Sequence, residues 1–160
     1  MSLPAVEFRP PQAGDVAALV PRLRAADLAE CDALVGPGNA ERAIAASLRN
    51  SVHAWTVWAG SDVVCVLGVT ALNLLGGIGA PWMMGTPLVD RHRGALMRAA
   101  PSYIAAMLAT FPHLRNVVDA RNTRSIAWLR RMGFQIHAPV PVGVASLPFH
   151  PFSLDVSDVS

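Results

Sequence analysis

The chain has 160 residues, 52% of them apolar and 15% charged, a balance that describes one domain burying about two-thirds of its unfolded surface and excludes a disordered chain. Its formal charge of +2 comes from arginine alone, since no lysine occurs. The arginines are scattered, and Trp55, Trp58 and Trp82 lie in apolar, strand-like stretches, which argues against a nucleic-acid partner.

Residues 6–9 read as a short strand that Pro10-Pro11 ends, and Asp15 is placed to cap a helix running to Leu23. Helical composition continues over 25–34 until Gly36-Pro37-Gly38 stops it. Asn39 is then the expected cap of a second helix over 40–48. Residues 53–58 and 63–72 are β-branched and aromatic, and the four residues between them suit a hairpin turn. After a glycine-rich connection over 74–79, a third strand is expected over 81–89. Residues 91–110 read as a long helix, kinked or restarted at Pro101, where a backbone donor is missing. A buried strand over 114–120 and a compact helix over 123–131 follow. Gly133 stands just past that helix, where a left-handed residue is favoured. Extended chain resumes over 134–137, and a proline-rich stretch leads to a last strand over 149–156. Phe149 and Phe152 there read as a closing strand or a homodimer contact. One α/β domain is expected over 1–156, with a frayed polar tail over 157–160.

Cys31 and Cys65 lie far apart, with no His or Cys at ligand spacing, so neither a disulfide framework nor a metal site is expected. Cys65, within an apolar strand, reads as an inert core thiol and Cys31 as an ordinary helix residue. The N-terminus carries no signal-peptide pattern, and no uncharged apolar run reaches the ~18 residues of a membrane span. A cytoplasmic protein without a membrane partner is the resulting expectation.

Two segments carry the chemistry. The first runs Val117-Val118-Asp119-Ala120-Arg121-Asn122 into a short helix and ends in Gly133-Phe134. Read from the residues alone, Asn122 caps the helix that follows it. The second segment is Arg91-His92-Arg93-Gly94-Ala95-Leu96 at the start of the long helix. Free N–H groups at a helix start, small residues and adjacent arginines suit a pyrophosphate, and an ordinary basic helix start is the plainer alternative.

Together these segments, and the element order across nearly the whole chain, resemble the GNAT acyltransferases. The resemblance implies a mixed central sheet of six to seven strands flanked by about four helices, with acetyl-CoA as cosubstrate and an amine as acceptor. It places Val89, Arg91, Arg93, Gly94, Ala95, Asn122 and Ser125 at the cofactor, with Asn122 and Ser125 on the pantetheine arm or thioester. The chain departs from the family at three points. Leu96 stands where the family has Gly or Ala, and Leu129 where a general-acid tyrosine is common. No Glu occurs over 81–89, the strand that often supplies a general base. The five histidines (53, 92, 113, 137 and 150) and Asp119 are substitutes in principle, and each has a structural reading beside the catalytic one. Tyr103 has no role assignable from spacing. A narrower resemblance, carried by Pro81-Trp82, the 114–116 entry and Trp128-Leu129, is to the small acetyltransferase-like proteins of tailed bacteriophages, the internal virion protein A group. It implies a virion or interaction role as the alternative to catalysis.

Overall fold

The computed structural model describes residues 2–159. The strands β1 (Val6–Arg9), β2 (Ser51–Ala59), β3 (Asp62–Asn73) and β4 (Ile78–Gly85) pair antiparallel in chain order. The strand β5 (His113–Asp119) lies parallel to β4, and β8 (Leu147–Asp155) runs antiparallel along all of β5. The short strands β6 (Gln135–Ile136) and β7 (Val140–Val142) both pair with β8. Eight strands therefore stand among the described residues, against six to seven expected. The strand unforeseen in the sequence is β7, whose Pro141 pairs opposite Pro148; proline is tolerated at an edge, where no ladder donor is needed.

Six helices flank the sheet among the described residues, against about four expected. The helix expected from Asp15 to Leu34 is two, α1 (Asp15–Leu19) and α2 (Ala25–Val35), joined by a 3-10 turn at Val20–Arg22. Pro21 lies inside that turn, and Leu23 and Arg24 are extended (ψ 142° and 143°), so the chain swings out and Arg24 N–H donates to Gly85 O at 2.8 Å. Asp15 is not the cap: Gly14 holds that position, while the buried Asp15 carboxylate accepts from Gln12 N–H and from Thr56 Oγ1 at 2.6 Å. Asn39 does precede α3 (Ala40–Asn50), but its side-chain amide donates to Val35 O and ties the end of α2 instead.

The strand expected to run to Val89 is β4, and it ends at Gly85, four residues early. Thr86 N–H donates to Val64 O, Pro87 follows, and the chain turns into the one-turn helix α4 (Leu88–Arg91). Val89 is thus in a helix, not a strand. The long helix is α5 (Arg93–Thr110), and it runs unbroken through Pro101. Pro101 lies on the solvent face, so the carbonyl it deprives of a donor can meet water. The opposite face, with Leu96, Ala100, Ile104, Met107 and Leu108, is held in the core. The last helix, α6 (Thr123–Arg131), has the expected bounds, and Gly133 after it has φ +99°. The segment expected to fray opens as a 3-10 turn, Val156–Asp158, capped by Asp155; Ser160 lies outside the described residues.

The apolar side chains divide into two cores, one on each face of the sheet. One packs α5 and α6 against β3, β5 and β8, and the other packs α1, α2 and α3 against β3 and β4. Phe149 and Phe152 are buried within the single chain and belong to the closing strand. No helix among the described residues is long and apolar enough to cross a membrane.

Candidate active site

The parallel ladder between β4 and β5 consists of only two register pairs, Ile78 with His113 and Gly79 with Leu114. Beyond them β4 continues to Gly85 and β5 to Asp119 without pairing, so the sheet parts along the C-terminal halves of both strands. An unpaired edge inside a sheet leaves backbone N–H and C=O groups that need partners. One is met locally: Asn116 Nδ2 crosses the gap to Pro81 O at 2.8 Å. A cleft of about 360 Å³ passes through the opening.

The two sides of the cleft differ. Tyr103, Met107, Trp128, Leu129 and Met132 from α5 and α6 line one side, and α2, α3, Trp82 and Met84 line the other. On the first side the Tyr103 hydroxyl has only Met132 Sδ as a hydrogen-bond partner, at 3.9 Å, and burial raises its pKa above the ordinary phenol range, so it stays protonated. Trp128 Nε1 is a buried donor with no partner among the described residues.

Asn122 is buried at the opening. Its Oδ1 accepts from Ser125 N–H at 3.3 Å as the cap of α6, and its Nδ2 donates to Glu30 Oε2 at 3.2 Å. It therefore caps the helix and lines the cleft at once, and Ser125 lines the cleft one turn further on. Past the end of β4, Arg91, Arg93 and Gly94 are exposed and Ala95 half-buried; none of the four lines the cleft, and no side chain caps the first turn of α5. The N–H groups of that turn lack helical acceptors, as in any helix. Arg124 of α6 pairs with Asp90 of α4, joining the two lips.

Val89 does not share this surface. Its side chain is 1% exposed and packs on Gly85, where an added Cβ would lie 2.5 Å from Val89 Cγ2; its N–H donates to Thr86 O. Leu96 likewise faces the core at 1% exposure, so its bulk lies beneath the loop rather than over it. None of the five histidines lines the cleft. His53 bonds Thr110, His113 pairs with Asp155, His137 bonds Ser153, His150 bonds the His137 carbonyl, and His92 is buried before α5. Asp119 is held by Arg121 at 2.6 Å, which keeps its carboxyl below the usual range.

The acids that do reach the cleft come from α2, which sequence reasoning treated as an ordinary helix. Asp27 pairs with Arg24 (2.9 and 3.0 Å) and accepts Gly85 N–H at 2.8 Å, so it grips the end of β4. One turn on, Glu30 grips the end of β5 through Asn122. Burial raises both carboxyls, Glu30 to about 7. The available signal was phase: residues 27, 30, 31 and 34 share one helical stripe, so the two acids face inward with Cys31 and Leu34. Burial also pushes both cysteine thiols up to about 12, as expected of inert core residues.

No family model matches the sequence, and no curated protein does. Solved structures do match. A probable acetyltransferase of the GNAT family from Chromobacterium violaceum ATCC 12472 is 22% identical, with 96% of this chain and 84% of that one covered at a TM-score of 0.69. The aminoglycoside N(6')acetyltransferase of Legionella pneumophila is 12% identical, covering 99% and 96% at 0.71. A ribosomal L7/L12 α-N-protein acetyltransferase in complex with coenzyme A is 11% identical, covering 96% and 96% at 0.69. At such identities the likeness shows a common fold.

Proposed function

We propose that this chain, which has the fold of the GNAT acetyltransferases, is an acetyl-CoA-dependent N-acyltransferase that acetylates an amine. The observation that carries the reading is the parting of β4 from β5 after two register pairs, with the uncapped first turn of α5 reached from the end of β4 through the short α4. The residues present fit the cosubstrate. Arg91, Arg93 and the N–H groups of Gly94 and Ala95 would take the pyrophosphate at a helix N-terminus. The unpaired strand edges, Asn122 and Ser125 would take the pantetheine amides, and the partnerless Trp128 Nε1 lies in the wall beside that path. Val89 supports this loop from beneath rather than by contact. Acetyl-CoA supplies an acyl group already activated as a thioester. The protein's own part is to align an amine against that carbonyl in a cleft lined mostly by apolar side chains, and proximity alone accounts for much of such a rate.

A second reading is a virion or interaction protein that keeps this fold without catalysis. Leu129 favours it, because the cleft wall there offers no hydroxyl to the departing thiolate.

Calorimetric titration with acetyl-CoA separates the two. We expect saturable micromolar binding, weakened at least tenfold in Arg91→Ala and in Asn122→Ala. No binding at millimolar acetyl-CoA would overturn the enzyme reading.

A further inference from the structure

The α2–α3 side of the cleft carries information about the acceptor that the α5–α6 side does not. Its lining is apolar, with Cys31, Leu34, Ala43, Ile44, Trp82 and Met84. Its only ionisable acids are Asp27 and Glu30. Asp27 is already spent on Arg24 and on Gly85 N–H. Glu30 is 9% exposed, and the only side-chain donor that reaches its carboxylate is Asn122 Nδ2. The Asn116 amide is spent on Pro81 O, and Asn122, which donates to Glu30, is assigned above to the pantetheine arm. Ser47 and Thr70 add two hydroxyls and nothing more. An acceptor covered with hydroxyls or charges would leave most of its polar groups desolvated and unpaired against this wall. An apolar body with one ammonium would not.

We propose that the acceptor is a primary amine carried on an apolar group, that its ammonium docks on Glu30, and that Glu30 is the base that deprotonates it. The proposal rests on the acetyl-CoA-dependent reading above. The Glu30 carboxylate takes one proton from the ammonium, freeing the nitrogen lone pair. That nitrogen attacks the thioester carbonyl carbon; the C–N bond forms and the C–S bond breaks. The sulfur leaves with the bonding pair and takes the second proton of the attacking nitrogen, giving a thiol and a neutral amide. Glu30 then returns its proton to water at the cleft mouth.

The surroundings suit this cycle. On its own helix Glu30 faces Asp27 and the neutral Cys31 thiol, and from β5 it faces Asp119. The turn after β5 brings Asn122 and the more distant Arg121, which is bound to Asp119. Burial outweighs the hydrogen bonds from Asn122 and from the Asp119 backbone and holds the carboxyl at about 7, with the charges of the two aspartates adding to the rise. A base that titrates near the working pH accepts and returns a proton with least penalty.

The test measures release of CoA thiol from acetyl-CoA by the full chain with two probes, phenethylamine and glucosamine. Phenethylamine should exceed glucosamine at least tenfold in kcat/KM, with a rate that rises through about pH 7. Glu30→Gln should lower the phenethylamine value about 100-fold and abolish that rise, in the range that general-base loss produces. Its acetyl-CoA affinity by calorimetry should stay within twofold, which also reports that the variant folds. Glu30→Asp, which keeps a carboxylate, should recover part of the rate. Equal or better use of glucosamine, or an unchanged pH profile in Glu30→Gln, overturns the proposal while leaving the transferase reading intact. Failure of the unaltered protein to bind acetyl-CoA overturns both.

Discussion

Glu30 shows how one side chain can be set against the stability of its own fold. Burial raises its carboxyl from the ordinary 4.5 to about 7, so the folded chain holds a proton that the unfolded chain has lost in that interval. The sign follows from linkage: Glu30's favourable contribution is complete below about pH 4.5 and is lost as pH rises through about 7, at a cost of about 3 kcal/mol. Asp27 acts in the same direction and Asp119 in the opposite one, at lower pH. Urea denaturation of Glu30→Gln across pH 4 to 9 should therefore show a flatter stability curve than the unaltered protein, with the variant the more stable at pH 8. Curves that run parallel throughout would mean that Glu30 meets more water than its 9% exposure implies. Asn122 bears two loads, as cap of α6 and as donor to Glu30. Asn122→Ala should cost about 1 kcal/mol for the cap alone and more above pH 7, where the Glu30 carboxylate it leaves is charged.

At the scale of elements, α2 acts as a strut between the parted strands. Asp27 holds the end of β4 and Glu30 the end of β5, three residues apart on one helix face. Arg24, 9% exposed, opposes the rise that burial imposes on the Asp27 carboxyl. Removing one partner of a buried ion pair strands the other, so Arg24→Ala should destabilise by about 3–5 kcal/mol, measured by thermal or urea unfolding. It should also weaken acetyl-CoA binding, because the β4 lip loses its support. A loss below 1 kcal/mol would show the pair to be hydrated. The end of α6 depends on backbone shape instead. Gly133 has φ +99°, a region that costs a residue with a Cβ about 1–2 kcal/mol, and Gly133→Ala should lose about that much. Its added Cβ meets nothing nearer than Leu154 Cδ1 at 3.9 Å, so strain rather than clash sets the loss.

For the whole molecule, the opening in the sheet is held by two separate cores, one on each face, with the cleft passing between them. A ligand that fills this gap binds only the folded chain. Acetyl-CoA at 100 times its dissociation constant should therefore add about 2.7 kcal/mol of stability. For a chain of this length that shifts the melting temperature by roughly 5–10 °C. Differential scanning fluorimetry with acetyl-CoA, and with adenosine as a control, checks it. No shift would count against a preformed site.

The parts of this architecture that rest on neighbouring residues were legible before folding. Periodicity marked the β2–β3 hairpin and α6, the latter to the residue, and Gly133 marked the turn after it. The spacing from Asn122 to Gly133 and the Arg91-to-Ala95 loop carried the likeness to an acyltransferase fold. Other features depended on contacts that local sequence does not encode. The break at Arg24 exists because its N–H and its guanidinium both have partners reached from β4 or α2. The long helix continues through Pro101 because its other face is pinned in the core. Val89 and Leu96 turned out to support the loop from within, since a residue's exposure depends on which sheet its helix covers. Glu30 is the clearest case. By itself it is one acid on a short helix, and it became a base candidate only when Asn122, 92 residues away, met it at the opening. Hydrophobic period and turn chemistry are properties of short segments, and so sequence alone determined the elements and their order. Proton affinity and access depend on what lies within a few ångströms in space, and those only the tertiary structure decided.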